Sequence, residues 1–99
     1  MMDVSTGGIM SGVSIPVKPN YQVPFAEQVK SKADIPVTAV GLITKPKQAA
    51  KILARGEADA VEIGRAALRD PYWPLRAANK LGIPSTEVPY APQYVAGAY

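Results

Sequence analysis

A glycine followed by an arginine, Gly64-Arg65, stands where a short apolar run passes into a helical pattern in ADAVEIGRAALRDPYWP, residues 58–74. Two kinds of seam have this composition. One is a turn that happens to precede a surface cation. The other is a seat for a phosphate. There, glycine lets the backbone approach closely, the first N–H groups of a helix are free and partly positive, and arginine adds a bidentate charged grip. Gly41, in AVGLIT, ends a strand-like run in the same way. Two such glycines in successive strand–helix units favour the seat. A short extra helix before a longer one is also where (β/α)8 barrels commonly hold a phosphate. Ser5-Thr6-Gly7-Gly8 is a third strand-end loop. No Gly-Lys-Ser/Thr follows it, which excludes a P-loop. The Ser5 hydroxyl can instead touch a ring or a ribityl group, or do nothing beyond ending the strand.

Other chemistry is narrowed by what the chain lacks. With no histidine, the usual general base and the commonest nitrogen metal ligand are missing. With no cysteine there is no disulfide framework, thiolate nucleophile or thiolate metal site, which fits a cytoplasmic protein. The net charge of +3 is eleven cations against eight acids, and the cations are spread along the chain, whereas a nucleic-acid surface gathers them on one face. No apolar run approaches the ~20 residues needed to cross a membrane, and MMDVSTGG does not read as a signal peptide. Asp59, Glu62 and Glu27 form no evident carboxylate pair, and Glu62 should point away from the face of Val61 and Ile63. Tyr72, Trp73, Tyr90, Tyr94 and Tyr99 read as packing anchors, with stacking on a base or flavin as the alternative.

Positioning the two glycine loops falls to alternating strands and helices. MMDVS reads as the end of a strand, followed by a glycine- and proline-rich loop. Pro24 opens a helix with Phe25, Ala26 and Val29 on its stripe. Residues 35–41 read as a buried strand. Thr44 is positioned to cap the next helix, with Pro46 in its first turn, Ala49, Ile52 and Leu53 on its stripe, and Gly56 past its end. Residues 59–63 form another strand and 65–69 a short helix. Asp70 with Pro71 should start the last helix, striped by Leu75, Ala78 and Leu81 and stopped by Gly82. Residues 83–99 read as an ordered, packed tail. Repeats of ~25–30 residues of this kind predict one α/β unit with a parallel sheet, 1–82 in βα units and 83–99 as the tail.

The segments DVSTGG, YQVPFAEQVK, IPVTAVGLIT, ADAVEIGRAALRDPYWPLRAANKLG and a terminal PQY..G occur in that order. Together they resemble the C-terminal third of the Old Yellow Enzyme family, in its subgroup of bacterial NADPH dehydrogenases, the thermophilic-like ene-reductases. The resemblance implies the C-terminal part of a TIM barrel, about three βα units corresponding to strands 6 to 8. It further implies FMN as cofactor, NADPH as reductant and an activated alkene (an enone) as substrate. Gly64 and Arg65 match the family's phosphate-binding pair, Gly41 the glycine of the strand 7 loop, and Ser5 and Gln22 loop positions near the flavin. The family's substrate-anchoring histidines and active-site tyrosine belong to earlier strands, so the isolated chain should be inactive. A terminal charged pair ending in an arginine that reaches a neighbouring subunit is replaced by Val95-Ala96.

A gene fragment, a split-barrel subunit needing a partner chain and a degenerate remnant all fit this pattern. So does a non-catalytic βα module that binds a phosphate ligand or serves assembly. Three strands leave a free sheet edge on each side. The chain is therefore expected to self-associate or to require the missing strands, with Val37, Ala39, Val61 and Ile63 facing inward and uncovered.

Overall fold

The alternation of strands and helices produces one parallel sheet of three strands in the order β1-β2-β3. The computed structural model describes residues 1–99. Its elements are β1 (Met2–Val4), α1 (Val23–Lys32), β2 (Val37–Ala39), α2 (Pro46–Ala54), β3 (Ala60–Val61), α3 (Arg65–Arg69) and α4 (Trp73–Lys80). Two short 3-10 turns, Ser85–Glu87 and Pro92–Gly97, follow. Asp3 lies opposite Thr38, and Thr38 opposite Ala60.

The two faces of this sheet differ in chemistry, and the expected inward apolar face is on the other side. Val37 and Ala39 are fully buried, and with Val4 they join Val23 and Ala26 of α1 and Ala49 and Ile52 of α2 in one core. Val61 and Ile63 pack against that core half-buried. These residues are covered because a strand alternates its side chains and the helices lie over the apolar side. The face away from the helices carries Asp3, Thr38 and Glu62. Thr38 Oγ1 lies 2.7 Å from Asp3 Oδ1 and 2.5 Å from Glu62 Oε1. Glu62 does point away from Val61 and Ile63, and it converges with a carboxylate that had not been paired with it. One hydroxyl proton is shared between two acceptors.

Helix boundaries follow local chemistry, with two departures from the expected caps. The N-cap of α2 is Lys45, not Thr44. Gln48 supplies the cap from within the helix, its Oε1 accepting from the N–H groups of Thr44 at 3.0 Å and Lys45 at 3.3 Å. Asp70 does not cap α4 either. It precedes Pro71, which disfavours helical backbone at Asp70 (φ −145°) and so ends α3. Its carboxylate receives Arg76 Nε at 2.7 Å and also pairs with Arg76 Nη2. Helix α4 therefore starts after Tyr72, with Pro74 in its first turn, and buries Trp73 and Ala77. Leu75 and Ala78 are half-buried and Leu81 is exposed. In α1 the buried pair is Val23 and Ala26, while Phe25 is exposed, and in α2 Leu53 is exposed. Gly56 and Gly82 end α2 and α4 as expected. Gly56 N–H donates to Leu53 O and Glu57 N–H to Ile52 O, and Gly82 and Ile83 repeat the pattern with Asn79 and Ala78.

The tail is not packed: neither 3-10 turn buries a residue, and Tyr72, Tyr94 and Tyr99 are exposed, so they are not anchors. Trp73 is one, with its Nε1 donating to Thr44 O at 3.0 Å. The radius of gyration of 15.4 Å exceeds the ~13 Å of a compact domain this long. No helix is long and apolar enough to cross a membrane.

At the N-terminal ends of the strands Asp59 ties three elements together. Its Oδ1 accepts from Lys30 Nζ at 2.8 Å and its Oδ2 from Val37 N–H at 2.9 Å. The Lys30 hydrogen bond, then the Val37 N–H, hold its carboxyl below the ordinary aspartate value of 3.8. A depressed folded-state pKa gives stabilisation that is present above the unfolded value and lost as pH falls through the folded one. Asp59→Asn should therefore lower the denaturation midpoint at neutral pH, and the gap from wild type should close in acid. A gap independent of pH would assign the contribution to shape and not to charge.

Candidate functional site

At the C-terminal ends of β2 and β3 the chain encloses a cavity of about 150 Å³. Gly41, Leu42, Ile43 and Thr44 form one wall, Glu62, Gly64, Arg65 and Ala66 the other, and Tyr21 closes the side. Ligand pockets for drug-sized molecules run to roughly 300–1,000 Å³, so this cavity accommodates one polar end of such a molecule.

The two glycines sit there for different reasons. Gly41 has φ +132°, and a Cβ on it would lie 3.0 Å from Gln22 N and 3.3 Å from Tyr21 Cδ1. Both the left-handed backbone and the close approach of the loop before α1 require glycine. Gly64 has φ −86° and nothing within 4 Å of an added Cβ. Neither backbone nor packing within the chain requires glycine at position 64, and its bare side faces open space.

The polar groups around the cavity are donors in search of acceptors. The N–H groups of Leu42, Ile43, Gly64, Arg65 and Ala66 donate to no backbone carbonyl or side chain. Those of Ala67 and Leu68 turn back to Gly64 O at 3.0 and 3.2 Å. Arg65 takes part in none of the three salt bridges, which are Lys30–Asp59, Arg55–Glu57 and Arg76–Asp70. Glu62, the one carboxylate on the wall, is engaged by Thr38. Unbonded amides and an uncommitted guanidinium suit an anion with several acceptor oxygens.

Of the residues singled out in the sequence, the structure brings Gly41, Gly64 and Arg65 to this cavity. Gln22 and Ser5 do not line it. Gln22 is buried behind Gly41, its Oε1 accepting from Thr6 N–H at 2.5 Å, so its carbonyl holds the β1 loop. Ser5 is exposed in that loop. Arg69 is exposed at the far end of α3, outside the cavity lining. Sequence reasoning missed Tyr21 and Glu62 as wall residues. Polar residues at alternate strand positions, Asp3, Thr38 and Glu62, were the available signal for the latter.

An α/β chain with a cavity lined by free backbone donors at the carboxyl ends of parallel strands is the class of protein that these observations define. The model of the NADH:flavin oxidoreductase / NADH oxidase family matches residues 6–83, and the chain belongs to that family, the Old Yellow Enzyme family of the motif resemblance. The chain is 51% identical over 83 residues to an NADPH dehydrogenase of Geobacillus thermodenitrificans, a match covering 84% of this chain and 24% of that protein. It is 46% identical over 97 residues to an NADPH dehydrogenase of another Geobacillus, covering 98% of the chain and 27% of the relative. An NADPH dehydrogenase of Listeria monocytogenes is 48% identical over 82 residues, with 83% and 24% covered. The chain thus spans about a quarter of the length of the curated relatives it matches.

Proposed function

We propose that this chain supplies the FMN-phosphate seat of a TIM-barrel NADPH dehydrogenase that reduces activated alkenes. The observation that carries the reading is the meeting of five unbonded amides and the unpaired Arg65 around one small cavity, in a chain of a flavin oxidoreductase family. Arg65 would grip the phosphate, while the N–H groups of Gly64 and Ala66 on one wall and of Leu42 and Ile43 on the other would donate to its remaining oxygens. Gly41 lets the second wall fold tightly onto Tyr21 and Gln22. FMN, when bound, supplies the capacity to take hydride from NADPH and pass it to the β-carbon of an enone. The chain contributes binding and orientation, and with no histidine it holds no proton donor of the usual kind. Groups that anchor the enone must come from strands outside these 99 residues, which would also cover the polar face of Asp3, Thr38 and Glu62 and the free sheet edges.

The test is to assay the 99-residue chain with FMN, NADPH and a cyclic enone, alone and mixed with a polypeptide carrying the strands that precede this segment in its relatives. The expected result is no enone-dependent NADPH oxidation by the chain alone and its appearance in the mixture. Robust turnover by the chain alone would overturn the reading, as would a mixture that stays inactive while FMN and riboflavin bind the chain equally.

A further inference from the structure

Gln48 lies outside the cavity lining, yet its side chain uses both ends to hold one cavity wall. Its Oε1 accepts from Thr44 N–H and Lys45 N–H at 3.0 and 3.3 Å, while its Nε2 donates to Leu42 O at 3.0 Å and to Asn20 Oδ1 at 2.5 Å. All four bonds run to loop residues or to the seam where the loop enters α2. The loop they hold is unusual. Leu42 has φ +49°, directly after Gly41 at +132°, and a leucine rarely takes left-handed backbone. Asn20, at φ +63°, is itself fastened to the loop, its N–H donating to Gly41 O at 2.9 Å. Two left-handed segments from different parts of the chain are therefore locked together through one amide side chain. An amide is the group for this task, since it offers an acceptor and two donors where a carboxylate offers acceptors only.

We infer that Gln48 is a positioning residue for phosphate binding: it fixes Leu42 in left-handed backbone and so sets where the free Leu42 and Ile43 amides lie. The inference rests on the proposed phosphate seat and adds a determinant that touches no ligand. Without Gln48, Leu42 is released toward ordinary negative φ, and the two amides leave the wall. Arg65 and Gly64, on the opposite wall, are untouched by the change.

The 99-residue chain can be titrated with FMN and with riboflavin, following amide chemical shifts, as wild type, Gln48→Met, Asn20→Gly, the double variant and Arg65→Ala. Methionine keeps the length of the side chain and removes its hydrogen bonds, and glycine at position 20 keeps left-handed backbone accessible. FMN affinity should fall roughly tenfold in Gln48→Met, less in Asn20→Gly, and in the double variant by no more than in Gln48→Met. Riboflavin affinity should not move. Exchange of the Thr44 and Lys45 amides should accelerate while Leu53 and Ala54, at the far end of α2, keep their protection. Unchanged FMN affinity in Gln48→Met beside a loss in Arg65→Ala would overturn the positioning role and leave the phosphate seat standing. Parallel loss of FMN and riboflavin with a lower unfolding midpoint would also overturn it, since that is general stabilisation. If wild type binds FMN no better than riboflavin, the phosphate seat fails. In that event unchanged exchange at Thr44 and Lys45 in Gln48→Met would overturn the clamp as well.

Discussion

Arg65→Ala should weaken FMN binding by about tenfold to a hundredfold once the chain is assembled with the strands that precede this segment in its relatives. A charge-assisted hydrogen bond to a phosphate dianion contributes roughly 1.5–3 kcal/mol at a partly buried site, which converts to that range. In the isolated chain Arg65 is exposed, so solvent screening should shrink the effect. Arg65→Lys should restore only part of the loss, because an ammonium is a point charge without the planar fork of a guanidinium. Riboflavin, which has no phosphate, should bind wild type and variant alike. Arg69→Ala is the control: it removes the same charge from the far end of α3 and should cost FMN little. Equal losses at both arginines would point to a diffuse electrostatic attraction. No loss at Arg65 would return Gly64-Arg65 to a turn followed by a surface cation.

Ile52→Ala should come close to unfolding the chain. Ile52 is 1% exposed and is the largest fully buried side chain. Six of the twelve buried core residues are alanines, at positions 26, 39, 49, 58, 66 and 77, so few large side chains carry the apolar burial. Truncating a buried isoleucine to alanine costs about 2–5 kcal/mol, in transfer free energy and in the cavity left behind. A chain of this length with an average core would have roughly 5–15 kcal/mol to lose, and this core is small. Urea denaturation followed by circular dichroism should show wild type with a transition of low midpoint and Ile52→Ala with little or none. Ile52→Val should cost only about 0.5–1.5 kcal/mol. Leu53→Ala, one residue further on, removes a side chain that is 42% exposed and should cost markedly less than Ile52→Ala. Equal costs at 52 and 53 would mean that α2 presents a different face to the sheet.

Sequence alone determined the order of elements, because the signals for it are local. Proline in a first turn, glycine just past a helix end and β-branched runs between them act within a few residues of chain. Hence β2, α2 and α3 fall where the pattern puts them, and Gly56 and Gly82 stop their helices by the expected bonds. The seam at Gly64-Arg65 was legible for the same reason: glycine, arginine and a helix start are adjacent in sequence. Which residue caps a helix was less legible. Thr44 and Asp70 are good caps by type, but Gln48 and Arg76 engage those positions first, and competition between side chains is visible only in three dimensions.

Tertiary structure alone decided which face of each element is covered. Val37, Ala39, Val61 and Ile63 alternate correctly in the sequence, but alternation does not say whether helices lie on the apolar side or the other. Packing α1 and α2 on that side gathered Asp3 of β1, Thr38 of β2 and Glu62 just past β3 on the opposite face. It also brought Asn20, Gly41 and Gln48 into one hydrogen-bonded clamp across 28 residues of chain. No periodicity carries that information, because hydrogen bonds between distant loops depend on where the sheet places their ends.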